Sequence, residues 1–248
     1  MAISVDTVYQ RVLAITNKEQ RGYLTPEEFN LLANQAQLDI FEQYFYDLNQ
    51  FNRVPGNSKA FSDMVTNLEE KISLFEKAAP LVYVVPYWEI PTDLYRLGTI
   101  TYDNKTNKLS LYPTPNTPVE TTTVTEVERA NFNELLYLNQ SKLTKPTNSR
   151  PVYVANENGY KIYGNEPIVN GVMCNYIKIP AKVEWVYRIV YGESLYDSTT
   201  SVNFELHQSD ETELVVKILE LSGLILADTN VYQAAAQMEA GTVQQEKL

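Results

Sequence analysis

The sequence predicts an α+β protein, in which helices from the N-terminal and C-terminal segments form a bundle and an antiparallel β-rich module is inserted between them. Three observations carry this prediction. Amphipathic helical patterns fill the first eighty residues, β-branched and aromatic residues with frequent prolines dominate the middle, and a helical pattern returns near the C-terminus. Helices and strands are therefore segregated along the chain. The predicted domains are 1–80 plus 205–248 for the helical bundle and 81–204 for the β-rich insertion.

The N-terminal segment predicts three helices, over residues 4–17, 21–51 and about 62–77. The second has the clearest start signal. Thr25 is a favourable N-cap, Pro26 occupies the first helical position, and Glu28 completes a capping box. Its apolar face recurs at helical spacing, so it must pack against other elements. That face contains Phe29, Leu32, Ala33, Ala36, Ile40, Phe41, Tyr44, Phe45 and Leu48.

The middle segment predicts strands joined by short turns. The residues DNKTNK, 103–108, are predicted to form a turn, with LSLYPTP pairing back. A short helix is predicted at RANFNELLYL, 129–138. RPVYVANENGYKIYG, 150–164, predicts a hairpin, because apolar residues alternate on both sides of an Asn- and Gly-containing turn. These features favour an antiparallel arrangement.

The C-terminal segment predicts a buried helix after Asn203. Asp210 is a candidate N-cap, with Glu213 three residues on. Leucine, isoleucine and valine then occupy nearly every face, so we expect this helix to pack against the N-terminal helices. The last stretch, 231–248, loses the apolar stripe. It predicts a helix that frays or an arm that becomes ordered on a partner.

Composition limits the possible classes of protein. The chain has 248 residues, 44% hydrophobic residues and a formal net charge of −11. A charge of this sign argues against a DNA-coating or membrane-adhering surface. No apolar run reaches the roughly 18–20 residues that span a bilayer, and the N-terminus lacks a signal-peptide pattern. The single cysteine is compatible with a reducing compartment. Eighteen tyrosines suit either protein interfaces or β-structure.

The sequence offers few groups for catalysis. His207 is the only histidine and stands in a polar stretch before a helix, where a structural role is the simpler interpretation. Cys174 lies in an apolar-leaning strand and is expected to be a buried, inert thiol. Glycine-rich phosphate loops are absent, and the carboxylate pairs fall at helix starts or on polar helix faces. We therefore predict no enzyme activity, no cofactor and no metal site. Scattered carboxylates leave a hydrolase as a remote alternative.

Several phrases of the sequence resemble a known class of proteins. The segments concerned are GYLTPEEFNLLANQAQLDIFEQYF, IPTDLYRLGTI, RPVYVANENGYKIYG and FELHQSDETELVVKILELSGLILADTNVYQAAAQ. In residue pattern and in order, they resemble virion structural proteins of tailed phages. The likeness is to ring proteins of the head–tail connector in crAss-like podoviruses. It implies a homo-oligomeric ring, commonly of twelve copies, that docks beneath the portal and continues the DNA channel. It implies no catalysis.

The resemblance also implies partners and a location. These are the portal protein, other tail and neck proteins, and DNA that passes without sequence-specific binding. The protein would reside in the neck of the virion after assembly in the host cytoplasm, without a membrane. C-terminal segments of such proteins often reach onto the portal or the next subunit, and the stretch 231–248 is the candidate arm. The partner-binding residues predicted there are Val231, Tyr232, Gln233, Gln237, Met238, Gln244, Gln245 and Leu248.

A second function stays open at this point. A tail- or fibre-associated module could bind a glycan or receptor through aromatic residues of the β-rich segment. Trp88, Trp185 and nearby tyrosines are the residues that would contact a sugar ring.

Overall fold

The computed structural model describes residues 3–18, 24–51, 64–108, 119–191, 193–225 and 237. Its helices and antiparallel or mixed sheets confirm the α+β class. The helices are α1 (Val5–Lys18), α2 (Pro26–Phe51), α3 (Met64–Ser73), α4 (Phe132–Leu138) and α5 (Glu211–Ile225), with a 3-10 helix at Gln208–Asp210. The strands are β1 (Glu76–Pro80), β2 (Tyr83–Val84), β3 (Tyr87–Trp88), β4 (Leu94–Lys108), β5 (Val119–Glu126), β6 (Glu128–Arg129), β7 (Val152–Asn156), β8 (Gly159–Tyr163), β9 (Val172–Lys178), β10 (Tyr187–Val190) and β11 (Glu193–Tyr196).

The chain divides into two compact units. The helical unit comprises Met1–Phe75 and Pro180–Leu248, and the sheet unit comprises Glu76–Ile179. The division differs from the predicted domains at both boundaries. All five residues of β1 pair with β9, so this segment belongs to the sheet unit. Residues 180–204, predicted to be part of the β-rich insertion, belong to the helical unit. Within this range, the backbone of residues 181, 183 and 185 bonds to side chains of α2.

Helix α2 begins as its sequence predicts. The Thr25 N–H donates to Glu28 Oε2 at 2.9 Å, and the Glu28 N–H donates to Thr25 Oγ1 at 3.3 Å. These bonds satisfy amide groups that a helix start leaves without partners. The bond from the Thr25 N–H, followed by one from the Thr25 hydroxyl at 2.8 Å, lowers the pKa of the Glu28 carboxyl. The predicted apolar face is buried from Phe29 to Tyr44.

The core of the helical unit forms where α5 packs on α1 and α2 and α3 packs on α2. Leu214, Val215, Ile218 and Leu219 of α5 are buried, and this helix contacts α1 and α2, as predicted for the C-terminal helix. Arg11 of α1 and Glu211 of α5 add an ion pair at 2.8 Å. The buried side chains of this core include Val5, Val8, Val12, Phe29, Phe41, Leu68, Ile72, Phe75, Leu214 and Ile218.

A stripe of side-chain amides on α2 holds the extended residues 181–185. Asn30, Asn34 and Gln37 lie on one face of the helix, since they are spaced by four and three residues. Each donates to a backbone carbonyl of this segment, at residues 185, 183 and 181, over 2.8–3.2 Å. Alternate residues of an extended chain point the same way, so three side chains on one helix face match residues 181, 183 and 185. The stripe therefore takes the place of a neighbouring strand.

The sheet unit contains two sheets that share one core. One has the strand order β1-β9-β4-β5 and the other the order β2-β3-β8-β7-β6. The chain passes between the sheets from β1 to β2, from β3 to β4, from β5 to β6 and from β8 to β9. The shared core consists of large apolar and aromatic side chains from both sheets. It contains Leu81, Trp88, Ile100, Tyr102, Val127, Tyr153, Tyr160, Ile168, Val172, Cys174 and Tyr176.

Two local predictions in the sheet unit have different outcomes. The hairpin of β7 and β8 is confirmed, with a two-residue turn between Asn156 and Gly159. Gly159 has a φ of 134°, and a Cβ there would meet the Trp88 carbonyl oxygen at 2.2 Å, so only glycine fits. The predicted turn at residues 103–108 is wrong. These residues continue β4 and pair with β5, from Asp103 opposite Val124 to Lys108 opposite Val119. The chain reversal and the predicted strand 109–115 lie outside the described residues.

Candidate interaction surfaces

The predicted docking arm lies almost entirely outside the described part of the chain. Of its eight predicted partner-binding residues, the structure describes Gln237, which is helical and exposed. Val231, Tyr232, Gln233, Met238, Gln244, Gln245 and Leu248 fall outside it. The arm therefore stays a prediction.

The lone histidine caps a short helix. His207 precedes the 3-10 helix, and its Nδ1 accepts from the Ser209 N–H at 3.3 Å. The same nitrogen lies 2.8 Å from Ser209 Oγ. These contacts agree with the structural role predicted from its position.

The cysteine is buried, as predicted. Cys174 lies in β9 with no exposed surface, and burial raises the pKa of its thiol to about 11. A thiol of this kind is protonated at neutral pH and is a poor nucleophile.

The carboxylates do not assemble a metal site in the described residues. No three residues of the His, Cys, Asp or Glu types come together there in a way that could hold a metal ion. Among the helices that the structure describes, none has both the length and the apolar character needed to cross a bilayer.

Asp210 joins three elements of the helical unit. Its carboxylate accepts from the Tyr44 hydroxyl at 2.5 Å and lies 2.7 Å from the Lys71 ammonium. The sequence predicts an N-cap here, but the side chain instead binds α2 and α3 at a site that leaves only 3% of it exposed. Burial and the charge of Asp210 raise the pKa of Tyr44. This buried network positions the start of α5, and each member has a partner within the fold.

The two tryptophans are core residues. Trp88 is 2% exposed and Trp185 is 3% exposed. The indole Nε1 of Trp185 donates to Asp6 Oδ1 at 3.0 Å, and its ring lies against Tyr9. The indole faces named in the glycan-binding alternative are therefore occupied by the protein's own side chains.

An uncharged, valine-rich hairpin projects from one edge of the sheet unit. It comprises residues 82–88, where β2 pairs with β3 through a Val85–Pro86 turn. Tyr83 and Trp88 face inward, with ring centroids 5.1 Å apart. Val82, Val84 and Val85 are 59%, 50% and 78% exposed. Antiparallel sheets that face water carry polar residues on the outer side, so three outward valines indicate a contact surface. We refer to residues 82–88 as the valine hairpin.

A groove lined by both charged and apolar side chains lies at the opposite edge of the same sheet. It has a volume of about 400 Å³ between the edge strand β6, helix α4 and Thr144. Five of the seven residues of α4 are apolar or aromatic, yet only Leu135 is buried. Phe132, Leu136 and Tyr137 of this helix, and Leu143 beyond it, are 53–87% exposed. Of these four side chains, Tyr137 lines the cavity. We refer to the cavity and the four side chains together as the α4 groove.

The helical unit exposes a third apolar surface on the β10–β11 hairpin. Ile189, Tyr191 and Leu195 are each more than 60% exposed. Tyr191 has a φ of 52°, an uncommon conformation for a residue other than glycine. At its base, the Arg188 side chain donates to Asp197 at 2.6 Å. Hydrogen bonds from Thr199 and then the Arg188 pair lower the pKa of Asp197 to about 2.

The other sheet carries a depression of about 540 Å³, lined by residues of β1, β4 and β9. Beside it, the Lys77 ammonium and the Tyr176 hydroxyl both lie 2.7 Å from the carboxylate of Asp93. The hydrogen bond from Lys77, followed by that from Tyr176, lowers the pKa of Asp93. The three groups satisfy one another and leave an outer surface of mixed polarity.

Neither the protein-family models nor the curated proteins compared with this chain give a match. The surfaces just described are the evidence on which a function can be based. Sequence reasoning did not identify the valine hairpin or the α4 groove. A signal was present, since LVYVVPYW contains no charge and FNELLYL is apolar on nearly every side.

Proposed function

We propose that this chain is a virion structural protein of a tailed bacteriophage, which forms an oligomeric ring in the head-to-tail connector. In this proposal the ring lies beneath the portal, contains about twelve copies, and continues the DNA channel. Its partners are other copies of itself, the portal, and neighbouring tail or neck proteins. The protein acts through binding and shape without catalysis.

One observation carries the proposal: the chain exposes three separate apolar surfaces. Single exposed apolar residues are ordinary, but clusters on several sides indicate contact with other proteins. A subunit of a ring needs at least two different complementary surfaces, because its contacts are heterologous. The valine hairpin, the α4 groove and the β10–β11 hairpin meet that requirement.

The charge of the protein is compatible with a DNA channel. A net charge of −11 repels phosphates, which favours passage of DNA over adhesion. The sequence resemblance to connector ring proteins points in the same direction.

The alternative of a tail- or fibre-associated glycan-binding module has less support. Both tryptophans are buried, and a sugar ring stacks on an exposed aromatic face. Binding of the isolated monomer on a glycan array would favour this alternative over a ring.

The proposal can be tested with purified protein, alone and mixed with a portal protein. We expect native mass spectrometry to find one closed oligomer, and negative-stain images to show rings. A protein that remains monomeric at all concentrations, with and without portal, would contradict the proposal.

The docking arm is tested by a variant that ends at Asn230. Because the buried part of α5 lies before this point, we expect an unchanged melting temperature and loss of portal binding. Full portal binding by the truncated protein would rule out the arm.

A further inference from the structure

We propose that His207 is a pH-sensitive hydrogen-bond switch at the start of α5. In its neutral form the imidazole caps the helix start. In its charged form it joins a hydrogen-bond chain that runs through the Ser209 hydroxyl to the buried Asp210 carboxylate. This inference concerns the helical unit alone and does not depend on the proposed ring.

The position of His207 makes a switch possible. It is the only histidine of the chain, and it is the N-cap of the 3-10 helix that leads into α5. The residue is partly exposed, so its ring can exchange protons with solvent. Histidine is the side chain that ordinarily changes charge between about pH 5 and 8. Since α5 packs on α1 and α2, a change of charge here acts at the beginning of a helix that closes the core of this unit.

Three contacts at this point cannot all form at once. The Ser209 N–H donates to His207 Nδ1 at 3.3 Å, and the Ser209 hydroxyl oxygen lies 2.8 Å from the same nitrogen. That hydroxyl also lies 3.0 Å from Asp210 Oδ1. The N–H can donate to Nδ1 only when Nδ1 carries no proton, and the single hydroxyl proton cannot serve two acceptors. The protonation of Nδ1 therefore selects which bonds form.

The neutral imidazole favours the cap. With its proton on Nε2, the ring presents the Nδ1 lone pair to the Ser209 N–H. This amide is one of those that a helix start leaves without a partner, and its capping stabilises the helix. The Asp210 carboxylate keeps its bond from the Tyr44 hydroxyl and its ion pair with Lys71. The buried network therefore does not need the Ser209 hydroxyl in this form.

The charged imidazole favours the chain to Asp210. Its Nδ1 becomes a donor, and the Ser209 hydroxyl oxygen is an acceptor at 2.8 Å. The hydroxyl proton then points to Asp210 Oδ1, 3.0 Å away. Hydrogen bonds of ionised groups are stronger than neutral ones, and this chain has an ionised group at each end. In exchange, the Ser209 N–H loses its acceptor.

Charges of both signs lie around the switch. The Asp210 carboxylate attracts a positive imidazole, but it is already paired with Lys71 of α3 at 2.7 Å. The start of α5 carries partial positive charge, which opposes a further cation. Glu211 and Glu213 in the first turn of α5 add negative charge that counters it.

The neighbouring ionisable groups keep their charge over the range in which histidine changes its own. Glu211 is paired with Arg11 of α1 at 2.8 Å. Tyr44 of α2 stays protonated and remains a donor, because burial and the charge of Asp210 raise its pKa. A change in the bonds at this point between about pH 5 and 8 therefore reports on His207.

NMR of the isotopically labelled full chain tests the switch between about pH 5 and 8. On acidification, both ring nitrogens of His207 should carry protons, and the Ser209 amide proton signal should move upfield because this amide loses its acceptor. Its protection against hydrogen exchange should fall about fivefold, after correction for the intrinsic pH dependence of exchange. The Glu28 amide, capped by the Thr25 hydroxyl, is the internal control and should not respond.

Two variants separate the cap from the chain. His207→Asn keeps a favoured N-cap that does not titrate, so its Ser209 amide signal should be constant. Ser209→Ala keeps the amide and removes the hydroxyl. The carboxyl carbon signal of Asp210 should follow the acid transition in wild type and lose that response in Ser209→Ala, while the amide of residue 209 should still respond.

Each readout can overturn the inference. A Ser209 amide signal that does not depend on pH in wild type would rule out the switch, as would an equal response in His207→Asn. An Asp210 response in Ser209→Ala as large as in wild type would rule out the hydroxyl chain, since the charge of His207 would then act directly. None of these results bears on assembly, so failure of the switch leaves the proposed ring to its own test.

Discussion

Asn34 of α2 and Val183 of the extended segment are joined by two reciprocal hydrogen bonds. The Asn34 Nδ2 donates to the Val183 carbonyl, and the Val183 N–H donates to Asn34 Oδ1, both at 2.8 Å. One amide side chain thus satisfies both backbone groups of a buried residue, as a neighbouring strand would. This pairing holds the returning chain on α2 after it leaves the sheet unit.

The first prediction concerns this pairing. We expect Asn34→Ala to lower the free energy of unfolding by about 2–3 kcal/mol, because it leaves the N–H and carbonyl of Val183 without partners. Urea denaturation measures the change. The neighbouring exposed Gln35→Ala should change stability by less than about 0.5 kcal/mol. Equal effects of the two substitutions would show that the pairing does not stabilise the fold.

The second prediction concerns the ion pair of Lys71 with Asp210. Lys71→Met removes the cation from a carboxylate that is 3% exposed, so we expect a loss of about 3 kcal/mol in unfolding free energy. Adding Asp210→Asn should recover part of this loss, since the unpaired buried charge disappears. The exposed Lys182→Met serves as a control with little effect. A double variant less stable than Lys71→Met would contradict this explanation.

The third prediction concerns stability at alkaline pH. The pKa of Tyr44 is raised in the folded protein, so the unfolded chain loses this proton first, near pH ~10. Tyr44 therefore contributes stability that is fully present below pH ~10 and is lost as the pH rises further. Above that pH, wild type should lose up to about 1.4 kcal/mol per pH unit more than Tyr44→Phe. Denaturant midpoints between pH 8 and 11.5 test this, and parallel pH profiles would refute it.

The fourth prediction concerns the thiol. With a pKa of about 11 and no exposed surface, Cys174 should resist alkylation in the native protein. At pH 8, iodoacetamide should label it rapidly only after addition of urea, and mass spectrometry of the intact chain would record the added mass. Rapid labelling of the native protein would show that β9 opens readily or that the thiol is accessible.

Much of the helical structure could be predicted from the sequence, because its signals are local. The Thr25–Glu28 capping box and the apolar stripe of α2 depend on residues within a few turns of one another. The hairpin of β7 and β8 depends likewise on its turn. The segregation of helices and strands along the chain was sufficient for the α+β class.

What the sequence by itself determined was the type of most elements, the burial of Cys174 and the helical apolar faces. The tertiary structure decided how polar residues are used. It pairs Asn34 with a segment about 150 positions away. The Asp210 side chain, predicted to cap a helix, instead bonds to Tyr44 and Lys71. Strand β4 extends through a stretch with turn-like composition. The tertiary structure also places the valine hairpin and the α4 groove at opposite edges of one sheet. The physical reason is that propensity and capping act over neighbouring residues. Hydrogen-bond partners and sheet edges depend on contacts between distant residues, which form only when the chain folds.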